Sequence, residues 1–173
     1  MDELDHGLKE SIADVRELLL HFRTRTQADD IDTAVQETLQ KFQHQTGMAV
    51  TRKITGEGLP LAQDVQVHVL HVLQESLSNI RKHAKAQQVS IEIQKGDTWR
   101  FLVRDDGIGF DDERKRTHLQ VGLNIMRERA AQINAEVTVS SQVGRGTTVT
   151  LLVPAAQKNK TTANQSSAWA EKT

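Results

Sequence analysis

The 173 residues include no cysteine and no tyrosine, only two prolines, and 3% aromatic residues. Without cysteine the chain forms neither a disulfide nor a thiolate metal site, which fits a reducing compartment and points to the cytoplasm. Scarce aromatics leave little for the base stacking that usually holds single-stranded nucleic acid. Neither sign of charge dominates: 22 Lys and Arg stand against 23 Asp and Glu, a net of −1. Such a balance gives no reason to expect nucleic acid or an anionic membrane surface as a partner. No apolar run approaches the roughly 20 residues that span a bilayer, and the acidic start Met1-Asp2-Glu3 is unlike a signal peptide. The length allows one domain plus a short accessory element.

Apolar periodicity organises what is present. Leu8, Ile12, Val15, Leu18, Leu19 and Phe22 recur at three- and four-residue steps, predicting an amphipathic helix from about residue 4 to 25. A second helix, capped by Asp29 or Asp30 and stopped by Gly47, is expected to bury Ile31, Ala34, Val35, Leu39 and Phe42. Met48 to Ile54 reads as a strand, and Gly56, Gly58 and Pro60 break the chain before a long helix over about 62–84. A hairpin of strands 89–94 and 98–104 follows, then a glycine-rich loop, a helix over 122–134, and strands 136–140 and 147–153. From Ala155 the composition turns to Lys, Asn, Thr, Ser and Gln without period, the mark of a disordered tail. This order departs from strict strand–helix alternation and predicts an α+β fold, a largely antiparallel sheet with helices on one face.

At about 100° per residue, the long helix gathers Leu70, Leu73, Leu77, Ile80 and Ala84 on one arc, with Val69 at its edge. The opposite arc collects His68, His71, Glu75, Asn79, Lys82 and His83. A solvated face is the plain reading of such a stripe. Against it stands Asn79, a poor helix former placed in mid-helix beside histidines. Its neutral oxygen suits a hard cation such as Mg²⁺, Glu75 one turn earlier can assist, and Lys82 one turn later can meet phosphate charge. His68 and His71 lack the spacing and further ligands of a zinc site.

In Asp105-Asp106-Gly107-Ile108-Gly109, two glycines after a strand let the backbone turn sharply and approach a ligand, while Asp105 can accept from an amino group on a planar ligand. The alternate ligands of a calcium loop are missing, and so is the third glycine of a dinucleotide fingerprint. A plain turn stays open for this loop taken alone. Gly122 is expected to start a helix whose free N–H groups could meet phosphate. Gly144-Arg145-Gly146-Thr147-Thr148 lacks the lysine of a P-loop and by itself reads as a hairpin turn.

Taken in order, Glu75-x-x-x-Asn79-x-x-Lys82-His83-Ala84, Asp105-Asp106-Gly107-Ile108-Gly109, Gly122-Leu123 and Gly146-Thr147 resemble the ATP-binding domain of bacterial sensor histidine kinases, over roughly residues 64–154. Met126-Arg127-Glu128-Arg129-Ala130 looks like the subfamily with the nitrate/nitrite sensor kinases. Val15-Arg16-Glu17-Leu18-Leu19 is similar to the second helix of that subfamily's dimerisation hairpin. The resemblance implies a two-layer α/β sandwich that binds ATP with Mg²⁺. Asn79 would ligate the metal with Glu75 assisting, and Lys82 and His83 would lie near the phosphates. Asp105 would read the adenine amino group, Gly107 and Gly109 shape the pocket, Gly122 and Leu123 border the loop over the phosphates, and Gly146 and Thr147 support adenine, the last through water. It also implies residues 1–28 as part of a dimerisation hairpin, 29–154 as the kinase domain and 155–173 as a tail.

The family's phosphoacceptor histidine precedes the second hairpin helix in a segment ending His-Asp or His-Glu. Here His6 precedes Gly7 and His21 precedes Phe22. The chain is therefore expected to be the cytoplasmic catalytic part of an inner-membrane receptor, homodimeric in full length. It would phosphorylate a histidine on another segment for relay to a response regulator, with no nucleic acid involved. A serine kinase or conformational ATPase of the same superfamily, or a non-enzymatic interaction module, are the alternatives.

Overall fold

A computed structural model describes residues 30–110 and 117–156, without the side chains of 117–119. The helix expected over 4–25, the hairpin segment 1–28 and the tail beyond residue 156 lie outside these residues. Helix α1 spans Ile31–Thr46, strand β1 Ala49–Gly56, helix α2 Gln63–Asn79, strand β2 Gln88–Lys95 and strand β3 Thr98–Asp105. Helix α3 spans Thr117–Gln132, strand β4 Glu136–Gln142 and strand β5 Gly146–Pro154. The strands form one sheet in the order β1-β2-β3-β5-β4, parallel only between β1 and β2. This is the expected α+β layering.

Alternation builds the sheet. Val89, Ile91 and Ile93 on β2 and Trp99, Phe101 and Val103 on β3 are buried, while Glu92, Gln94, Arg100 and Arg104 between them face outward or lie part-way. Val149, Leu151 and Val153 continue the inward row on β5. Trp99 stacks on Phe101 at 5.9 Å between ring centroids and donates its indole N–H to the Leu59 carbonyl at 3.0 Å. That bond ties the loop before α2 to the sheet and satisfies the one polar atom of a buried ring.

Helix α1 follows its sequence signals closely. Asp30 caps it by accepting from the Asp32 N–H, Gly47 ends it in the left-handed conformation, and the five expected residues are buried. Helix α2 differs from expectation in two ways. Its buried face comprises Val65, Val69, Val72, Leu73, Ser76, Leu77 and Ile80, whereas Leu70 and Ala84 are only half-buried. The reason is that α2 packs against α3 as well as the sheet, which rotates the buried arc toward α3. Regular α geometry also stops at Asn79, and Ile80–Ala84 form a π-helical turn that ends in left-handed Lys85.

The largest correction concerns α3. It begins at Thr117, five residues before the expected start at Gly122, so Gly122 lies inside the helix with its N–H committed to the ladder. It is no free phosphate-binding donor. Glycine in a helix interior costs about 1 kcal/mol relative to alanine, and the close approach of α2 at this position, described below, accounts for its presence.

Ile93 is fully buried at the centre of the sheet. Ile93→Ala is expected to lower unfolding free energy by about 2–5 kcal/mol. Val121→Ala, on the exposed side of α3, is expected to stay within about 0.5 kcal/mol. Urea melts of the two variants measure the contrast.

Candidate functional site

The loop after β3 is bonded through its backbone on both sides. On one side, Ile108 donates its N–H to the Ala84 carbonyl at 2.8 Å, using one of the acceptors left over at the end of the π turn. On the other, Ile108 accepts from the Gly144 N–H at 2.7 Å in the β4–β5 turn. The loop is thus held between two elements far apart in sequence. Any side chain at Gly107 would collide with the Ala84 carbonyl, and any at Gly109 with that of Gln142. Gly109 also has φ of 59°, a conformation side-chain-bearing residues adopt at a cost.

The two neighbouring aspartates do different work. Asp106 is exposed, and its Oδ1 accepts from the backbone N–H of Gln87 at 2.8 Å and of Gln88 at 2.9 Å, fastening the loop to the start of β2. The Gln88 and Gln87 bonds hold its carboxyl below the ordinary value for aspartate. Asp105 is 4% exposed and accepts from the Gly107 N–H at 2.8 Å. Burial pushes its carboxyl above the ordinary value, and the Asp106 charge adds to the rise. Bonds from the Gly107 and Thr147 N–H groups pull the other way.

Asp105 looks into a cleft with room for about 40 Å³. Its apolar walls come from Val103, Val139 and Val149 of the sheet, Ile80 and Ala84 of the α2 end, and Leu123 and Met126 of α3, with Phe110 at the edge. Its polar groups are Ser76, Asn79, His83, Asp105 and Thr147. An apolar cleft whose lining includes a buried carboxylate and an amide suits a heteroaromatic ring bearing an amino group and a polar tail.

Six of the residues singled out from sequence meet here: Asn79, His83, Asp105, Gly109, Leu123 and Thr147 all line the cleft. Glu75 stands one turn before Asn79, and both abut Gly122. A Cβ at Gly122 would strike the Glu75 carboxylate and sit 3.2 Å from the Asn79 amide. Gly122 therefore serves the site by closeness to α2. Gly107 lies beneath Asp105 as a hydrogen-bond donor, and a Cβ at Gly146 would collide with the Asp105 backbone. Lys82 is exposed and does not line the cleft.

Sequence reasoning overlooked the walls and two hydroxyls. Met126 lies in the apolar stripe of α3 and Val139 and Val149 alternate in their strands, but only tertiary placement turns core residues into walls. Ser76 is 2% exposed, bonding the Val72 carbonyl at 2.8 Å and approaching the Met126 sulfur at 3.3 Å. Ser141, at the end of β4, bonds the Phe110 N–H at 2.9 Å and the Thr147 hydroxyl at 2.9 Å. Its only sequence signal was a serine shortly before the Gly146-Thr147 pair.

Among the described residues no three His, Cys, Asp or Glu side chains gather as metal ligands. Asn79 with Glu75 offers the sparse oxygen set of a Mg²⁺ that keeps waters and is carried largely by phosphates. His68 and His71 meet edge to face at 6.4 Å. Burial chiefly, and then the Arg129 charge, lower the His68 pKa, with Asp64 opposing. No helix among the described residues is long and apolar enough to cross a membrane.

Residues 64–157 match the family described as histidine kinase-, DNA gyrase B- and HSP90-like ATPase. The chain is 34% identical over 153 residues to the nitrate/nitrite sensor protein NarQ of Escherichia coli K12, covering 87% of this chain and 27% of that protein. To the signal transduction histidine-protein kinase/phosphatase DegS of Brevibacillus brevis it is 30% identical over 155 residues, covering 88% of this chain and 40% of that protein. It thus spans well under half the length of these curated relatives. The solved histidine kinase AdeS of Acinetobacter baumannii superposes with a TM-score of 0.61 at 16% identity, covering 88% of this chain and 80% of that one, a likeness of fold.

Two outcomes follow from this geometry. In Asp106→Ala the Gln87 and Gln88 amides are expected to exchange hydrogen faster than in the wild type, with Asp106→Asn, which keeps an acceptor, in between. Because the folded pKa of Asp106 is depressed, its fastening holds above the unfolded-state value of about 4 and is lost as pH falls through the folded one. Gly122→Ala is expected to leave stability unchanged or raise it by up to about 1 kcal/mol. The same change displaces the Glu75 carboxylate, so thermal melts and ligand titration should move independently.

Proposed function

This chain belongs to the histidine kinase-, DNA gyrase B- and HSP90-like ATPase family, and on that basis we propose that it is the Mg²⁺-ATP-binding catalytic part of a two-component sensor histidine kinase. The observation that carries the proposal is the convergence of Asn79 and Asp105, 26 positions apart, on one apolar cleft. Adenine enters between the sheet valines and Met126, with its amino group toward the Asp105 carboxylate. The phosphates extend toward Asn79 and His83. Asn79 and Glu75 hold the metal, which when bound neutralises charge on the transferring phosphoryl group.

The γ-phosphoryl passes to an imidazole nitrogen of a histidine on a segment outside this chain, leaving ADP, and from there to a response-regulator aspartate. No histidine in residues 1–29 has the acceptor's His-Asp or His-Glu context. Residues 1–28 are assigned to the dimerisation hairpin, 29–154 to the kinase domain and 155–173 to the tail. A cytoplasmic position beneath an inner-membrane sensor, homodimerisation and nitrate or nitrite as the signal complete the proposal. A serine kinase or conformational ATPase would share the cleft. Likeness to sensor kinases over 87% of the chain favours the histidine kinase.

Asn79→Ala is expected to abolish the Mg²⁺-dependent part of ATP binding. Asp105→Ala is expected to weaken adenine binding about tenfold or more with or without metal, a charge-assisted hydrogen bond being lost. Calorimetric titration separates the two, and unchanged affinity in both would remove the site assignment. The raised pKa of Asp105 means that its acceptor character is complete only above the ordinary carboxylate range. ATP affinity should therefore fall at a higher pH on acidification than an exposed aspartate would cause. Label transfer from γ-labelled ATP to a separate domain carrying the acceptor histidine tests the catalytic step.

A further inference from the structure

Ser141 sits at the end of β4 with three hydrogen-bond partners around one hydroxyl. The Phe110 backbone nitrogen lies 2.9 Å from its Oγ, the Gly146 carbonyl oxygen 3.2 Å and the Thr147 Oγ1 2.9 Å. A serine hydroxyl has one proton to donate and two lone pairs to accept with. The Phe110 N–H can only donate, so it takes one lone pair. The Gly146 carbonyl can only accept, so it takes the proton. What remains is the second lone pair, and it fits Thr147 only if the threonine is the donor.

Either hydroxyl of the Ser141–Thr147 pair can be the donor, and the arrangement with Thr147 donating is the one that satisfies all three partners of Ser141. We propose that Ser141 is a specificity-determining positioning residue: by taking up the Thr147 proton, it leaves Thr147 facing the cleft with lone pairs alone. Asp105 beside it offers a carboxylate, held in place by the Gly107 and Thr147 N–H groups. The base-reading edge then contains acceptors only. Such an edge matches a purine whose six-position carries an amino group, which has two N–H bonds to give, while the adjoining ring nitrogen, itself an acceptor, is met through a water that donates one proton to it and one to Thr147. It opposes a six-keto purine, whose carbonyl oxygen needs a donor. A threonine free to rotate would supply that donor, and Ser141 denies it the freedom.

The inference rests on the adenine-binding reading of the cleft and adds to it the origin of base selectivity. It also explains why the two strand ends are knit to Phe110: the same serine that orients Thr147 accepts from the Phe110 N–H after the glycine loop. Ser141 touches neither base nor phosphate in this arrangement. It acts through Thr147.

The test compares ATP with inosine triphosphate, which differs at the six-position and the adjoining ring nitrogen, by calorimetric titration of the full chain. Wild type is expected to prefer ATP. Ser141→Ala releases Thr147 to donate and should reduce the ATP-to-inosine-triphosphate preference by about three- to tenfold, the range of one neutral hydrogen bond. Ser141→Thr restores the hydroxyl and should restore the preference. Ser141→Cys fills the place of the hydroxyl with a somewhat larger, weakly accepting sulfur and should resemble Ser141→Ala, which covers the case in which the alanine variant folds poorly. Equal loss of affinity for both nucleotides, with the ratio unchanged in the alanine and cysteine variants, would overturn the role and make Ser141 a structural tie alone. If wild type binds neither nucleotide, or Asp105→Ala leaves ATP affinity unaltered, the adenine-binding reading itself falls and this inference with it.

Discussion

The site depends on a backbone sandwich. The loop from Asp105 to Phe110 is squeezed between the carbonyl end of α2 and the β4–β5 turn, and most of what holds it there is main chain: Ile108 to Ala84, Gly144 to Ile108, Asp106 to Gln88. Main-chain contact at this range leaves no room for side chains, which is why Gly107, Gly109 and Gly146 stand where they do. The π turn belongs to the same constraint. It ends α2 in left-handed Lys85 and leaves the Ala84 carbonyl where Ile108 can reach it. Single-turn π segments inside α-helices often mark functional positions for this kind of reason.

With the loop held, two adjacent carboxylates are driven apart in character. Asp106 spends its oxygens on backbone N–H groups at the surface and stays easily ionised. Asp105 is sunk into the cleft, where desolvation outweighs the two N–H bonds it receives. A buried carboxylate raised in this way opposes folding while it is charged, and the opposition fades as pH falls through its elevated pKa. Retaining such a group is understandable if a ligand donor supplies the missing partner, because the cost of burying an acceptor is recovered when it is bonded. A structural role alone would be filled better by a less costly residue.

How legible this was in the sequence varies with the range of the signal. Helix α1 was readable to within a residue, since the Asp29-Asp30 cap signal, the apolar steps and Gly47 are all local. The hairpin of β2 and β3 was equally clear from alternation around Lys95-Gly96-Asp97. The start of α3 was not, because Gly122 looks like a boundary and its true reason, contact with Glu75 and Asn79, joins residues more than 40 positions apart. The same limit explains the shift of the buried face of α2 toward Val72 and Ser76. A helical wheel assumes one neighbour and α2 has two. Asn79, Asp105 and Thr147 were found because polar residues in unexpected places stand out. Val103, Val139 and Met126 were not, since a cleft wall and a core residue look alike until the fold places them.

The cleft is also asymmetric in construction, and this bears on how the proposed recognition and transfer are divided. Its base-reading side is built from strands and a loop fastened at both flanks, with Asp105 and Thr147 on adjacent paired strands that meet side by side. Arg104 opposite Thr148 fixes that register. Its other side is the surface of α2, where Asn79 and His83 share the end of a helix with exposed Lys82. Geometry of the first kind discriminates between planar ligands, because a shift of one hydrogen-bond length there requires breaking strand pairing. Geometry of the second kind would suit the flexible polyanion and the arriving acceptor of the proposed function. On the proposed function, nucleotide identity is set by residues of this chain, whereas the timing of transfer depends on what brings the acceptor to α2.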